Sequence, residues 1–166
     1  SVGEIVAMGD HVMDGYFGDP EGTAAAFDGP WLHTGDMAVW EPDNYISIVD
    51  RKNFMIITGG ENVFPAQVEN VLASHPSVAD AAVIGSPDEE SGALPKAFVV
   101  CKDDISEATL MDYVASHVAP YKKVRLLDFV DSVPKSASGK ILRRHLIEQE
   151  RERVRASANA SSAMST

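Results

Sequence analysis

Residues 56–100 read IITGGENVFPAQVENVLASHPSVADAAVIGSPDEESGALPKAFVV. The run NFMIIT (53–58) has the apolar, β-branched character of a strand, and GGEN after it reads as a turn. Pro65 opens PAQVENVLASH (65–75), in which Val68, Val71 and Leu72 fall on one face of a helix. VADAAVIG (78–85) and LPKAFVVCK (94–102) read as strands on either side of the loop SPDEESGA. Strand, turn, helix, strand, loop and strand make this the centre of an α+β domain.

Downstream, SEATLMDYVASHV (106–118) reads as a helix capped by Ser106, with Leu110, Val114 and Val118 on one face. VRLLDFV (124–130) reads as a strand and GKILRRHLIEQERERVR (139–155) as a final helix. The last residues, ASANASSAMST, hold too few apolar side chains to pack, so 151–166 is expected to be a disordered tail. The domain over 51–150 is therefore expected to carry a mixed or antiparallel sheet flanked by helices. Upstream, GEIVAM (3–8) reads as a strand and DPEGTAAAF (19–27) as a short helix, with Asp19 as its cap and Pro20 in its first turn. MAVW (37–40) and YISIV (45–49) read as a hairpin around EPDN. This β-rich stretch, 1–50, has little core of its own and reads as the end of a larger domain.

The charge distribution supports a division at the same place. The 166 residues carry a net charge of −11, which argues against nucleic-acid or anionic-membrane binding. Residues 1–50 hold ten carboxylates and no Lys or Arg, whereas 51–166 are nearly balanced. The composition thus breaks at Asp50–Arg51, and cations for an anionic ligand must come after residue 50. No apolar run is long enough for a transmembrane segment, residues 1–15 lack a basic signal-peptide start, and the single cysteine, Cys101, reads as buried. A cytoplasmic location is the expectation.

Several short stretches bear chemistry. In VPKSASGKILRR (133–144), Lys140 follows a Ser/Gly-rich loop and precedes an apolar-periodic run, an ammonium at the mouth of a helix. The nucleotide P-loop is excluded, because Pro134 stands where its first glycine is needed and Ile141 where its Ser/Thr is needed. Asp36 in WLHTGD (31–36) follows a strand and a glycine turn. It suits either a turn carboxylate bonded to local N–H groups or an acceptor for a vicinal diol such as a ribose. Arg51 and Lys52 precede the double glycine Gly59–Gly60, where two missing side chains permit close approach of a backbone or thin ligand. The same turn also suits a plain hairpin. Lys122, Lys123 and Arg125 read either as a solvated face or as phosphate contacts. The five histidines show no metal-ligand spacing, so no metal site is expected, and no G-x-S-x-G elbow is present.

Taken in order, GEI (3–5), DGYFGDPEGTAAAF (14–27), WLHTGD, IVDRK (48–52), residues 56–100 and VPKSASGKILRR resemble the adenylate-forming superfamily of acyl- and aryl-CoA synthetases, which includes 4-coumarate–CoA ligase and firefly luciferase. The resemblance covers about residues 3–150. It implies an acid–thiol ligase that uses ATP, with Mg²⁺ on its phosphates, and CoA to turn a carboxylic acid into an acyl-adenylate and then an acyl-CoA, releasing pyrophosphate and AMP. It implies that Asp36 and Arg51 bind the ribose, that Lys52 is a further cofactor-binding residue beside them, and that Lys140 serves adenylation. Gly59 and Gly60 would line the passage for CoA. The small domain would swing between the two half-reactions about a hinge at Asn53, where the family usually has Asp or Lys. The phosphate loop and acyl pocket of the family's large N-terminal domain are absent from these residues. The chain is thus expected to be the C-terminal portion of a longer enzyme, inactive alone, with that domain as partner. An amino-acid-adenylating domain of a peptide synthetase is a rival, disfavoured by PKSASGKILRR and GGENVFP. Luciferase-like oxidation is a weaker one, and a non-catalytic docking module is a rival of another class.

Overall fold

The computed structural model describes residues 1–163 and divides into two units, one ending at Asn53 and one beginning at Phe54. The division falls three residues beyond the break in charge.

The first unit holds β1 (Val2–Ala7), α1 (Pro20–Ala26), β2 (Phe27–Asp28), β3 (Trp31–Trp40) and β4 (Ile46–Arg51). Strands β1, β2 and β4 all pair antiparallel with β3. Asp19 caps α1, its Oδ1 accepting the Gly22 N–H at 2.8 Å, and Pro20 takes the first turn, where its missing N–H has no cost. The β3–β4 hairpin turns through Asn44 at φ +65°, a conformation asparagine tolerates better than most residues. Ala38 is the only buried apolar residue of this unit, whereas eleven of the fifteen exposed large apolar side chains among the described residues lie in it, Trp40, Tyr45 and Ile48 included. Four strands are in place, but there is next to no interior.

A 3₁₀ turn (Lys52–Phe54) carries the chain from the first unit into the second, which holds β5 (Ile56–Thr58), β6 (Glu61–Val63), α2 (Pro65–Ala73), β7 (Val78–Asp88), β8 (Gly92–Cys101), α3 (Glu107–His117), β9 (Leu126–Phe129) and α4 (Arg143–Ala163). β5 and β6 form a hairpin. β7 pairs antiparallel with β8, and β9 joins β8 in parallel after the crossover through α3, so the sheet is mixed. Along β7, Ala81 and Val83 enter the apolar cluster made with Val68 and Leu72 of α2 and Leu110 and Val114 of α3. Ala82 and Ile84 enter the cluster with Val133 and with Leu146 of α4. Both faces of the sheet are covered, which explains why AAVI is continuous rather than alternating.

Four expectations are corrected. The segment SPDEESGA is strand, not loop, apart from the turn Glu89–Ser91, which Asp88 closes by accepting from the Ser91 N–H and hydroxyl at 2.8 and 2.6 Å. Cys101, at the end of β8, is half-buried. The final helix starts at Arg143 rather than 139, and it continues through 151–163, where a disordered tail is expected. Residues 164–166 of that tail lie outside the described residues. At the start of this extension Arg153 makes a fork to Glu150, Nε–Oε2 2.9 Å and Nη2–Oε1 2.7 Å, which ties that turn of the helix to the sheet. Glu150 is itself buried, accepting from Ser86 at 2.7 Å and from Lys96 at 2.9 Å, and Lys96 also pairs with Asp128 at 2.6 Å. Burial pushes the Glu150 carboxyl up, but the bonds from Arg153, Ser86 and Lys96 outweigh it and hold the group at about 2. Among the described residues no helix is long and apolar enough to cross a membrane.

Candidate functional site

Asp36 lies inside β3, not after a strand and turn. β1 and β3 lose register here: Glu4 faces Met37 and Val6 faces His33, so Thr34, Gly35 and Asp36 bulge against Ile5 alone. Gly35 takes φ +74°, which a residue with a Cβ adopts only under strain. The Thr34 hydroxyl donates to the Ile5 carbonyl at 2.7 Å and accepts the Asp36 N–H at 3.1 Å. This local geometry presents the Asp36 carboxylate toward β4, where Arg51 is its direct register partner. Arg51 Nη1 donates to Asp36 Oδ1 at 2.7 Å. Asp36 keeps its other oxygen, and about a quarter of its side chain remains exposed (27%).

Glu4 on β1 organises this cluster, and sequence reasoning missed it. Its Oε1 accepts the Gly35 N–H at 3.1 Å, and its Oε2 meets Lys52 Nζ at 2.8 Å and His33 Nδ1 at 2.9 Å. The Lys52 bond, helped by His33 and the Gly35 N–H against a desolvation cost, holds the Glu4 carboxyl below its ordinary value. One carboxylate thus fixes the bulge that presents Asp36 and tethers the cation beside Asn53. The only signal for it in the sequence is an acidic residue inside an apolar strand. Glu4, His33, Gly35, Arg51, Lys52 and Asn53 are among the residues that line one recess.

Gly59 and Gly60, at φ +56° and +84°, form the two-residue turn of the β5–β6 hairpin. A Cβ at either would meet no atom within 4 Å, so these glycines answer to backbone conformation, and the space outside them is open. The Gly59 N–H donates to the Ser91 carbonyl at 2.9 Å, which seats the turn beside the β7–β8 turn.

Lys140 is not at a helix mouth. Lys135 and Ile141 form an antiparallel bridge, and between them the chain turns tightly. The Ser136 N–H donates to the Lys140 carbonyl at 2.8 Å, the Gly139 N–H to the Ser136 carbonyl at 2.9 Å, and the Lys140 N–H to Ser136 Oγ at 3.2 Å. Gly139 supplies the required φ of +80°. The backbone of Lys140 is therefore fixed, while its side chain is exposed and forms no ion pair with a described residue. Lys135 pairs with Asp80 near the start of β7, whereas the glycine turn is seated at the far end of β7. Eight residues separate Asp80 from Asp88, about 26 Å at ~3.3 Å per residue. The lysine loop and the double-glycine turn thus occupy opposite ends of one hairpin, while Asp36, Arg51, Lys52 and Asn53 cluster in the other unit. Lys122, in PYKK, donates to Gln67 Oε1 at 2.7 Å. Among the described residues no three His, Cys, Asp or Glu side chains gather as a metal seat.

Comparison with known proteins bears on the same residues. Residues 67–140 match the family described as AMP-binding enzyme C-terminal domain, a match that ends on Lys140. The chain is 51% identical to 4-coumarate–CoA ligase-like 6 of Oryza sativa subsp. japonica, over 89% of this chain and 25% of that protein. It is 49% identical to the 4-coumarate–CoA ligase of Pinus taeda, over 87% and 27%. Among solved structures it is similar to the o-succinylbenzoate CoA synthetase of Bacillus subtilis in complex with the acyl-adenylate intermediate, with a TM-score of 0.79 and 39% identity over 88% of this chain and 30% of that one. The chain therefore spans about a quarter to a third of the length of the relatives it matches.

Proposed function

This chain belongs to the adenylate-forming superfamily of acyl- and aryl-CoA synthetases, as its C-terminal portion, and on that footing we propose that it provides the ribose-binding pair, the hinge and the mobile domain of an ATP-dependent carboxylic acid–CoA ligase. The observation that carries the reading is the placement of the lysine loop and the double-glycine turn at opposite ends of the β7–β8 hairpin. Two half-reactions with different needs are served by two ends of one rigid body.

In the first half-reaction a carboxylate oxygen attacks the α-phosphorus of ATP and pyrophosphate leaves. Both reactants are anionic, and a single exposed ammonium on a fixed backbone, Lys140, offsets their repulsion and stabilises the charge that develops at the phosphate. Asp36, held by Arg51 and by the Glu4-bonded bulge, accepts hydrogen bonds from the two ribose hydroxyls. In the second, the CoA thiolate attacks the acyl carbon and AMP leaves. The open side of Gly59–Gly60 leaves room for the pantetheine chain. Rotation about the segment at Asn53 presents the two ends in turn. Asn53 is uncharged, so in this protein the hinge turns without an ion pair of its own.

The unburied apolar side chains of the first unit suit packing against a large domain that carries the phosphate loop, the acyl pocket and the groups that hold Mg²⁺. The acid substrate is set by that domain. We place the protein in the cytosol, a reading supported by its lone cysteine.

ATP–pyrophosphate exchange tests the assignment. The chain joined to the large domain of a 4-coumarate–CoA ligase is expected to catalyse exchange dependent on a carboxylic acid and to form an acyl thioester with CoA. Absence of both activities in a folded, joined protein favours the docking module.

A further inference from the structure

Arg143, three residues after Lys140, is buried to nine-tenths (9% exposed). Its Nη2 donates to Glu69 Oε2 at 2.6 Å, and Glu69 Oε1 accepts the Val83 N–H at 2.8 Å, so the guanidinium is tied through α2 to strand β7. Its other neighbour is the ring of Phe54, with Cζ 5.4 Å from the centroid, within cation–π range. Phe54 is the first residue beyond Asn53. Arg143 also opens α4, and directly before it the Leu142 N–H donates to the Pro134 carbonyl at 2.9 Å, closing the base of the lysine loop. One side chain touches the end of the hinge segment, the helix under the sheet and the root of the loop that carries Lys140.

Stability alone is a poor reason for this arrangement. Arg143 Nε is buried without a partner, a cost an apolar side chain would not incur. Buried ion pairs are frequently no better than well-packed apolar replacements. What an apolar replacement lacks is a planar cation that bonds Glu69 through Nη2 while it faces the Phe54 ring, and lysine lacks the plane.

We propose that Arg143 is a positioning residue for Lys140: clamped between Glu69 and Phe54, it fixes the lysine loop to the end of the hinge segment so that hinge rotation delivers the ammonium to one place. The inference rests on the reading that Lys140 serves adenylation. It assigns to the Glu69–Arg143–Phe54 contact the transmission of the domain movement within the second unit.

Two variants test it. Arg143→Lys keeps the charge and loses the planar guanidinium; Glu69→Gln keeps the acceptor for Val83 and loses the ionic partner. Amide hydrogen exchange on the full chain is expected to show Ser136, Gly139, Lys140 and Leu142 exchanging about tenfold faster in both variants, with Ala97 and Val99 of β8 unchanged as evidence of an intact fold. In the protein joined to a large domain, kcat for ATP–pyrophosphate exchange is expected to fall about ten- to a hundredfold with the KM for ATP unchanged, while thioester formation from supplied acyl-adenylate is retained. Wild-type loop exchange in both variants overturns the clamp. Equal loss of the two half-reactions also overturns it, because a mere scaffold residue would act that way. A Lys140→Ala variant run alongside separates the two ideas: undiminished ATP–pyrophosphate exchange there defeats the lysine's role, whereas the clamp is judged by the loop amides.

Discussion

Arg51 and Asp36 face each other across β3 and β4, with Nη1 donating to Oδ1 at 2.7 Å. Both side chains are partly exposed, Arg51 by 55%, so the pair contributes less than about 1 kcal/mol to stability. Its value lies in aim: the guanidinium occupies one carboxylate oxygen and leaves the other for a ligand. Asp36→Asn is expected to leave the unfolding midpoint nearly unchanged. In the joined enzyme it is expected to raise the KM for ATP about 10- to 100-fold, the value of hydrogen bonds to a charged acceptor. Initial rates against ATP concentration and a denaturant melt check the two parts. An unaltered KM removes Asp36 from the site.

At Gly60, with φ +84° and open space around its missing side chain, alanine meets no clash, only backbone strain. Gly60→Ala is expected to cost about 1 kcal/mol of stability, measured by urea unfolding. The bulkier Gly60→Val is expected to slow thioester formation from supplied adenylate while leaving ATP–pyrophosphate exchange at the wild-type rate. Slowing of exchange alone would place the glycine turn in the wrong half-reaction.

Glu150 gives the second unit its acid sensitivity. Its folded value of about 2 lies below the ordinary 4.5, so the stabilisation is complete above about pH 4.5 and is lost as pH falls toward 2. The displacement corresponds to about 3 kcal/mol. Unfolding free energy measured from pH 6 to 2.5 is expected to fall across that window, and the fall is expected to be largely absent in Glu150→Gln, which is less stable at pH 6. An identical pH profile in both proteins contradicts the assignment.

With Ala38 as its one buried apolar residue, the first unit is expected to exchange its β1 and β4 amides far faster than the second unit exchanges those of β7 and β8. Joining a large domain is expected to slow the first set and leave the second alone. Equal protection in the free chain would show that the β-rich unit needs no partner.

These contrasts mark what a sequence discloses. The helices at Pro65 and Ser106 were legible because their start signals, a first-turn proline and a serine cap, lie within a few residues of their apolar faces. The parallel placement of β9 was not, since nothing local in LLDF distinguishes one edge of the sheet from another. Asp36 and Arg51 were visible as residue types in suggestive company; that they face each other is set by the register of β3 on β4, and the bulge beside Asp36 is held by Glu4, thirty-two positions away. The start of α4 was misread because ILRRHL has helical spacing from Ile141, whereas the bridge between Lys135 and Ile141 holds that residue extended. Lys96 carried a signal that could have been used: a lysine inside ALPKAFVV, on a strand expected to be buried, requires a carboxylate nearby. Local pattern could not say that the carboxylate would be Glu150, fifty-four residues on.

The most direct measurement compares the two half-reactions in the joined enzyme with Lys140 replaced by alanine. ATP–pyrophosphate exchange is expected to fall about 10²- to 10³-fold, the usual effect of removing one transition-state donor, while CoA thioester formation from supplied acyl-adenylate proceeds at the wild-type rate. Exchange at the wild-type rate in Lys140→Ala would contradict the account at its centre.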